Sequence, residues 1–222
     1  GFSAMKYYMA PTLNAEKIDY MPEIKAIHLI LFNYSTIENV DLFGPMPYND
    51  HKNCVEESPF VYEKVKDIYY QAKADIDAAI ECFKYYKDHR SDAYKKTIGR
   101  IILSRVQLLS SDYADASDLS VWIRFANSLK LRMAIHMSKV EPATAKQWAE
   151  EAVAGGVIEN ETDEIAIYPT KTGTMHPLVE ITNWRDIVIG ASFMNLLENL
   201  YHPYMKYLFT KNSIGLVKSE QA

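Results

Sequence analysis

Apolar residues recur along this chain at the spacing of amphipathic helices, in long runs broken by polar or Gly/Pro-rich segments. The run "PEIKAIHLILFNYSTIENVDLF" puts Ile24, Ile27, His28, Leu31, Tyr34 and Ile37 at helical intervals. Pro22 suits its first turn, where a missing N–H is harmless. Gly44, Pro45 and Pro47 cannot continue the helix and send the chain into an extended loop. The next stripe is the most regular: Val61, Val65, Ile68, Ala72, Ile76, Ala79, Ile80 and Phe83. It predicts a helix starting near Ser58 as cap and Pro59 as first helical residue, and stopping in the polar "KDHRSD".

"KKTIGRIILSRVQLLSS" predicts a shorter helix interrupted by Gly99, and "SSDYADASD" a loop. "VWIRFANSLKLRMAIHMSKV" gathers Trp122, Phe125, Ala126, Leu129, Met133, Met137 and Val140 on one broad face. Asn127 falls on the back with Ile123, Leu131 and Ala134. That pattern is a helix buried on two sides, in which Asn127 is a structural amide with its partners satisfied. Pro142 and the pair Gly155 and Gly156 bound a small-residue helix, "PATAKQWAEEAVAGG", so these two helices form an antiparallel hairpin. From Val157 to Ile189 the period fails. "EIAIYPT" alternates like a short strand, and the rest reads as a long irregular loop of the kind that often carries function. "ASFMNLLENLYHPYMKYLF" is a last helix that Pro203 ends or kinks.

Across the 222 residues the formal net charge is −5, with acidic and basic residues interspersed. No basic field exists to attract nucleic acid or an anionic membrane surface. The longest apolar run, "AIHLILF", is far too short to span a bilayer. Cys54 and Cys82 are the only cysteines, too few for a disulfide framework and outside any close Cys/His cluster. The 16 tyrosines offer flat apolar faces with polar edges, suited to interfaces and to stacking on sugar rings. His-Glu-x-x-His spacing, a Gly-x-Ser-x-Gly elbow and a glycine-rich phosphate loop are all missing, so neither catalysis nor a cofactor is expected. Asp75 and Asp77, two apart on a helix, face different ways and are no acid/base pair. Asp112, Asp115 and Asp118, and Glu159, Glu161, Asp163 and Glu164, lack the spacing of a calcium loop and read as hydrated surface.

Four blocks together resemble the SusD/RagB-like outer-membrane lipoproteins. "DLFGPMPY" is similar to that family's D-x-[FY]-G-x-x-P-[YF] turn. "VYEKVKDIYYQAKADIDAAI" is similar to the helix that follows, and "VWIRFANSLKLRMAIHMSKV" to its W-x-K-F-A-N-S-L-x-L-R-x-A helix. "HPLVEITNWRD" with "ASFMNLLENLYHPY" forms the fourth, departing from the family at His202 to Tyr204, where Asp-Pro-Arg is usual. The resemblance spans about residues 14–204. It implies a mostly α fold, a single helical domain over 1–222 built of tetratricopeptide-like antiparallel pairs, with long irregular loops and little sheet. It further implies a non-catalytic cell-surface protein that captures a nutrient, usually a glycan or oligosaccharide, as the lid of a SusC-like TonB-dependent transporter. Membrane attachment would be through an N-terminal lipid anchor whose Cys this chain does not carry, so the chain reads as a partial member.

A sugar site needs an aromatic platform rimmed by amides or charges. "TNWRD" supplies these in one loop: Trp184 to stack, with Asn183, Arg185 and Asp186 to hydrogen-bond. Tyr168 and His176 in the same irregular region are secondary candidates. The competing reading of "TNWRD" is a Trp184 that anchors the loop while Arg185 and Asp186 pair on the surface. Tyr48 reads as structural, fixing the turn against the long helix. The alternative at the level of function is a helical protein–protein scaffold with no sugar site of its own.

Overall fold

The computed structural model describes residues 10–15, 18–55, 59–105, 117–160, 165, 190–208, 210–211 and 217–218. The chain divides into two compact units, Gly1–Ala166 and Ile167–Ala222.

In the first unit a short helix α1 (Ala10–Leu13) and a 3-10 turn (Ile18–Tyr20) lead into α2 (Pro22–Phe43). Helix α2 is buried around most of its circumference. Ile27, Ile30, Phe32 and Ile37 are fully enclosed, while Leu31 and Tyr34, which the apolar spacing placed on the core stripe, are only half-buried. The difference arises because polar residues go inside too and spend their hydrogen bonds locally. Asn33 Nδ2 donates to the Leu29 carbonyl (2.9 Å) and Thr36 Oγ1 to that of Phe32 (2.9 Å).

After Gly44, the five-residue helix α3 (Tyr48–Lys52) and an extended segment precede α4 (Val65–His89). Helix α4 thus starts later than the expected Ser58–Pro59, and Val61 lies outside the helix with 65% of its surface exposed. Glu63 is the reason. Its backbone bridges Met46 (N–H to carbonyl, 3.1 Å), and its carboxylate accepts from the Tyr48 N–H (2.6 Å) and the Asn49 side chain (2.9 Å), which requires extended backbone. Buried Tyr48 is structural, as expected: its hydroxyl lies 2.8 Å from Asn33 Oδ1 and 2.6 Å from Asp75 Oδ2.

Helix α5 (Asp92–Arg105) starts before the "KKTIG" stretch. A Cβ on Gly99 would lie 3.1 Å from the Ser117 backbone N, so close passage of the chain at Ser117 accounts for a glycine inside the helix. Helices α6 (Ser120–Met137) and α7 (Pro142–Ala154) form the expected hairpin, with α2, α4, α6 and α7 packed in succession. Val140 is corrected: α6 ends at Met137, and Val140 sits in the turn, 80% exposed, instead of on the core face.

The Asn-Ser pair inside α6 reaches across the hairpin. Asn127 Nδ2 donates to the Gly156 carbonyl (3.0 Å), and Ser128 Oγ accepts from the Ile158 N–H (2.9 Å), fastening the chain where it leaves α7. Close by, the buried Lys130 ammonium meets Asp77 Oδ1 (2.9 Å). Lys73 bridges Asp77 Oδ2 (2.6 Å) and Glu151 (3.1 Å), joining α4, α6 and α7 through one charge cluster. Asp75 and Asp77 serve different faces of α4, the first toward Tyr48 and Lys52, the second toward Lys73 and Lys130.

In the second unit, α8 (Ala191–Asn199) stops before Pro203, with Tyr201 at φ +48°. A short α9 (Met205–Leu208) and an antiparallel pair of two-residue strands follow, β1 (Thr210–Lys211) and β2 (Val217–Lys218), with Thr210 opposite Lys218. The structure is therefore mainly helical. The strand expected at "EIAIYPT" lies, apart from Ile165, outside the described residues. Among the described residues no helix is long and apolar enough to cross a membrane. Cys54 and Cys82 are both free thiols.

Candidate functional site

Three helix ends converge within the first unit: the last turn of α2, the first turns of α4, and the end of α6 with the turn into α7. Between them lies a cavity of about 560 Å³ whose walls include Val40, Asp41, Lys66, Tyr69, Tyr70, His136, Val140 and Glu141. Its walls are largely apolar, with polar groups in pairs. This is the composition of a small-molecule site, in which a few fixed polar groups orient a ligand against apolar surface.

The local sequence explains the pairing. Asp41 sits in the last turn of α2, where the partial negative charge of the helix end disfavours a carboxylate. Two neighbours offset this: His136 Nδ1 lies 2.8 Å from Asp41 Oδ2, and the Tyr69 hydroxyl donates to Asp41 Oδ1. Burial, reinforced by that carboxylate, pushes the Tyr69 phenol far above its ordinary value, so it remains a neutral donor. On the other wall, the Tyr70 hydroxyl donates to Glu141 Oε2 (2.7 Å) and Lys66 Nζ approaches Glu141 Oε1 (2.5 Å). Hydrogen bonds from Lys66 and Tyr70 hold the Glu141 carboxyl below the usual range, and the same contact to Glu141 raises Lys66. Lys66 also lies 5.5 Å from the Tyr70 ring centre, and Trp148 meets that ring edge-on at 5.2 Å. Tyr70 is thus held at its hydroxyl and through its ring while 40% of its surface stays exposed.

Asn183, Trp184, Arg185, Asp186, Tyr168 and His176, the residues singled out from the sequence, all lie outside the described residues. Reasoning from the sequence missed the cavity. Asp41, the Tyr69–Tyr70 pair and His136 were each present in blocks that carried the family resemblance, but their separation along the chain hid their convergence. The one available signal was the pair of adjacent tyrosines, since on a helix the two cannot both face the core. Among the described residues no group of three His, Cys, Asp or Glu side chains could hold a metal ion. Asp112, Asp115, Glu161, Asp163 and Glu164 fall outside those residues. Asp118 instead accepts from the Ser120 N–H and hydroxyl, both at 2.9 Å, ahead of α6.

Among solved structures, a chitin-binding SusD homolog from Flavobacterium johnsoniae superposes with a TM-score of 0.72 at 24% identity, over 96% of this chain and 41% of that one. A SusD-like protein from Bacteroides thetaiotaomicron also gives 0.72 at 24% identity, over 96% of this chain and 42% of that one. A SusD homolog from Bacteroides vulgatus gives 0.68 at 22%, over 99% and 40%. The chain therefore spans about two fifths of the length of these structures, and they establish a shared fold. No curated protein matches the sequence. The family described as SusD and RagB outer membrane lipoprotein matches residues 3–221, nearly the whole chain. A match of that extent, together with the helical fold seen here, makes the chain a member of the SusD-like family.

Proposed function

We propose that this chain serves in a cell-surface nutrient-binding lipoprotein that captures oligosaccharide and hands it, without catalysis, to a SusC-like TonB-dependent transporter. The observation that carries this reading is the family match over residues 3–221, to a family described as outer membrane lipoproteins. One matched structure is itself a chitin-binding homolog, which favours a glycan as the nutrient. On this reading the protein sits on the outer face of the outer membrane, held by an N-terminal lipid anchor. The loop carrying Asn183, Trp184, Arg185 and Asp186, with Tyr168 and His176, contributes contacts to the sugar.

A saccharide-panel titration of the wild type and Trp184→Ala tests it. Binding that the substitution abolishes, with helical content unchanged, supports both the glycan and the loop. The scaffold alternative draws on the exposed apolar side chains Leu42, Phe43, Val61 and Tyr62, which a protein partner would cover. If no glycan binds and a transporter plug or peptide does, the scaffold reading replaces ours.

A further inference from the structure

A saccharide asks three things of a site: a rigid flat apolar face for its C–H surface, acceptors and donors for its hydroxyls, and room. The cavity between the ends of α2, α4 and α6 offers each. Tyr70, 40% exposed, is held before any ligand arrives by its hydrogen bond to Glu141, by the T-shaped contact with Trp148 and by the Lys66 ammonium over its ring. A contact surface already held in place loses little entropy on binding. Asp41 and Glu141 are carboxylates, and each has lone-pair capacity beyond its present donors, so each can accept charge-assisted hydrogen bonds from sugar hydroxyls. His136 adds a ring nitrogen beside Asp41. The volume of about 560 Å³ falls in the range of small-molecule sites, about 300–1,000 Å³.

The charges also decide what kind of sugar fits. The lysine in the lining, Lys66, is engaged by Glu141, leaving Asp41 beside a histidine. An incoming uronate or sulfate would meet the two carboxylates Asp41 and Glu141, with the lining lysine already paired to one of them, and like-charge juxtaposition is costly. From this geometry we infer that the cavity is a saccharide-binding site, selective for uncharged sugar rings over acidic ones. The inference rests on the glycan reading above and adds to it a set of contacts and a substrate class.

The test is calorimetric titration of the full chain with chitohexaose, maltohexaose and xylohexaose as neutral probes and trigalacturonate as the acidic one. Wild type is compared with Tyr70→Ala, which removes the platform, and with Val140→Trp, which plugs the mouth from an exposed turn position and leaves the packed interior untouched. Binding of a neutral probe weakened about tenfold or more in both variants, the effect of losing a well-placed aromatic contact or the space beside it, with trigalacturonate not bound, supports the inference. A neutral probe bound equally by wild type and both variants overturns it while leaving the glycan reading intact, as does trigalacturonate binding as tightly as the neutral probes. If wild type binds none of the four, the glycan reading falls and this inference with it.

Discussion

Replacing Asp77 by alanine removes the carboxylate that Lys73 and Lys130 share at the meeting of α4, α6 and α7. The consequence is unequal for the two lysines. Lys73 keeps Glu151 at 3.1 Å, whereas the side chain of Lys130, only 7% exposed, loses the carboxylate it contacts at 2.9 Å. Breaking a buried ion pair from one side costs about 3–5 kcal/mol. Asp77 itself is 37% exposed, so solvent already screens part of the interaction, and about 2–3 kcal/mol is the expected loss. For a chain of this size that lowers the melting temperature by about 4–12 °C. Lys130→Met fills the same space without a charge and should cost less than about 1 kcal/mol, because Asp77 retains Lys73 and water. In the Lys130→Met background, Asp77→Ala should then cost only about 1 kcal/mol, leaving a coupling of about 1–2 kcal/mol between the two positions. Urea unfolding followed by circular dichroism on the four proteins gives the cycle. A coupling below about 0.5 kcal/mol would refute the reasoning, since it would mean that the Lys130 stem carries its ammonium to water unaided.

Gly155→Ala would place a Cβ 2.6 Å from Asn127 Nδ2, the group that holds the Gly156 carbonyl. A loss of about 1–3 kcal/mol is expected, largely absent in an Asn127→Ala background; equal losses in both backgrounds would show that the crowding lies elsewhere. Acid should also loosen the first unit. Burial works against the charge on Asp77, but hydrogen bonds from Lys73 and Lys130 outweigh it and hold the carboxyl below its ordinary 3.8; Gln147 and Lys73 hold Glu151 below 4.5. Both folded-state values lie under the unfolded ones, so this stability is fully present above those ordinary values and drains as pH falls through the folded ones. The urea midpoint should therefore hold from neutral pH down to about pH 5 and fall below about pH 4, less steeply in Asp77→Asn. An identical acid limb in the variant would remove Asp77 from the account.

The helices α2, α4, α6 and α7 were legible from apolar spacing, and for α4 that spacing also reported the buried face; α2, enclosed on most sides, has no single face to report. Where the spacing misled, a specific contact had intervened. Val61 continues the stripe of α4 in sequence, yet Glu63 is held extended by Met46 and Tyr48, contacts made by residues that precede it by some fifteen positions. Val140 continues the stripe of α6, but the turn into α7 had already begun. Asn127 was readable as a satisfied buried amide from its position among apolar neighbours; which carbonyl satisfied it required the hairpin. The cavity was illegible for the same reason. Asp41, Tyr70 and His136 carry no mutual spacing rule, and their convergence follows only from the packing of α2, α4 and α6. The loop residues proposed for sugar contact rest on composition alone.

Helix α3 is five residues long, well short of what can hold helical structure by itself in water. Its first N–H groups are capped by the carboxylate of Glu63, beyond the far end of the helix, and Asn49 in its first turn reaches Gln71 on α4. Helix α3 therefore has no stability of its own to lose gradually. In amide hydrogen exchange its protons should open together with the start of α4, with one shared free energy of opening, so that "YNDHK" and the first turns of α4 behave as a single cooperative unit.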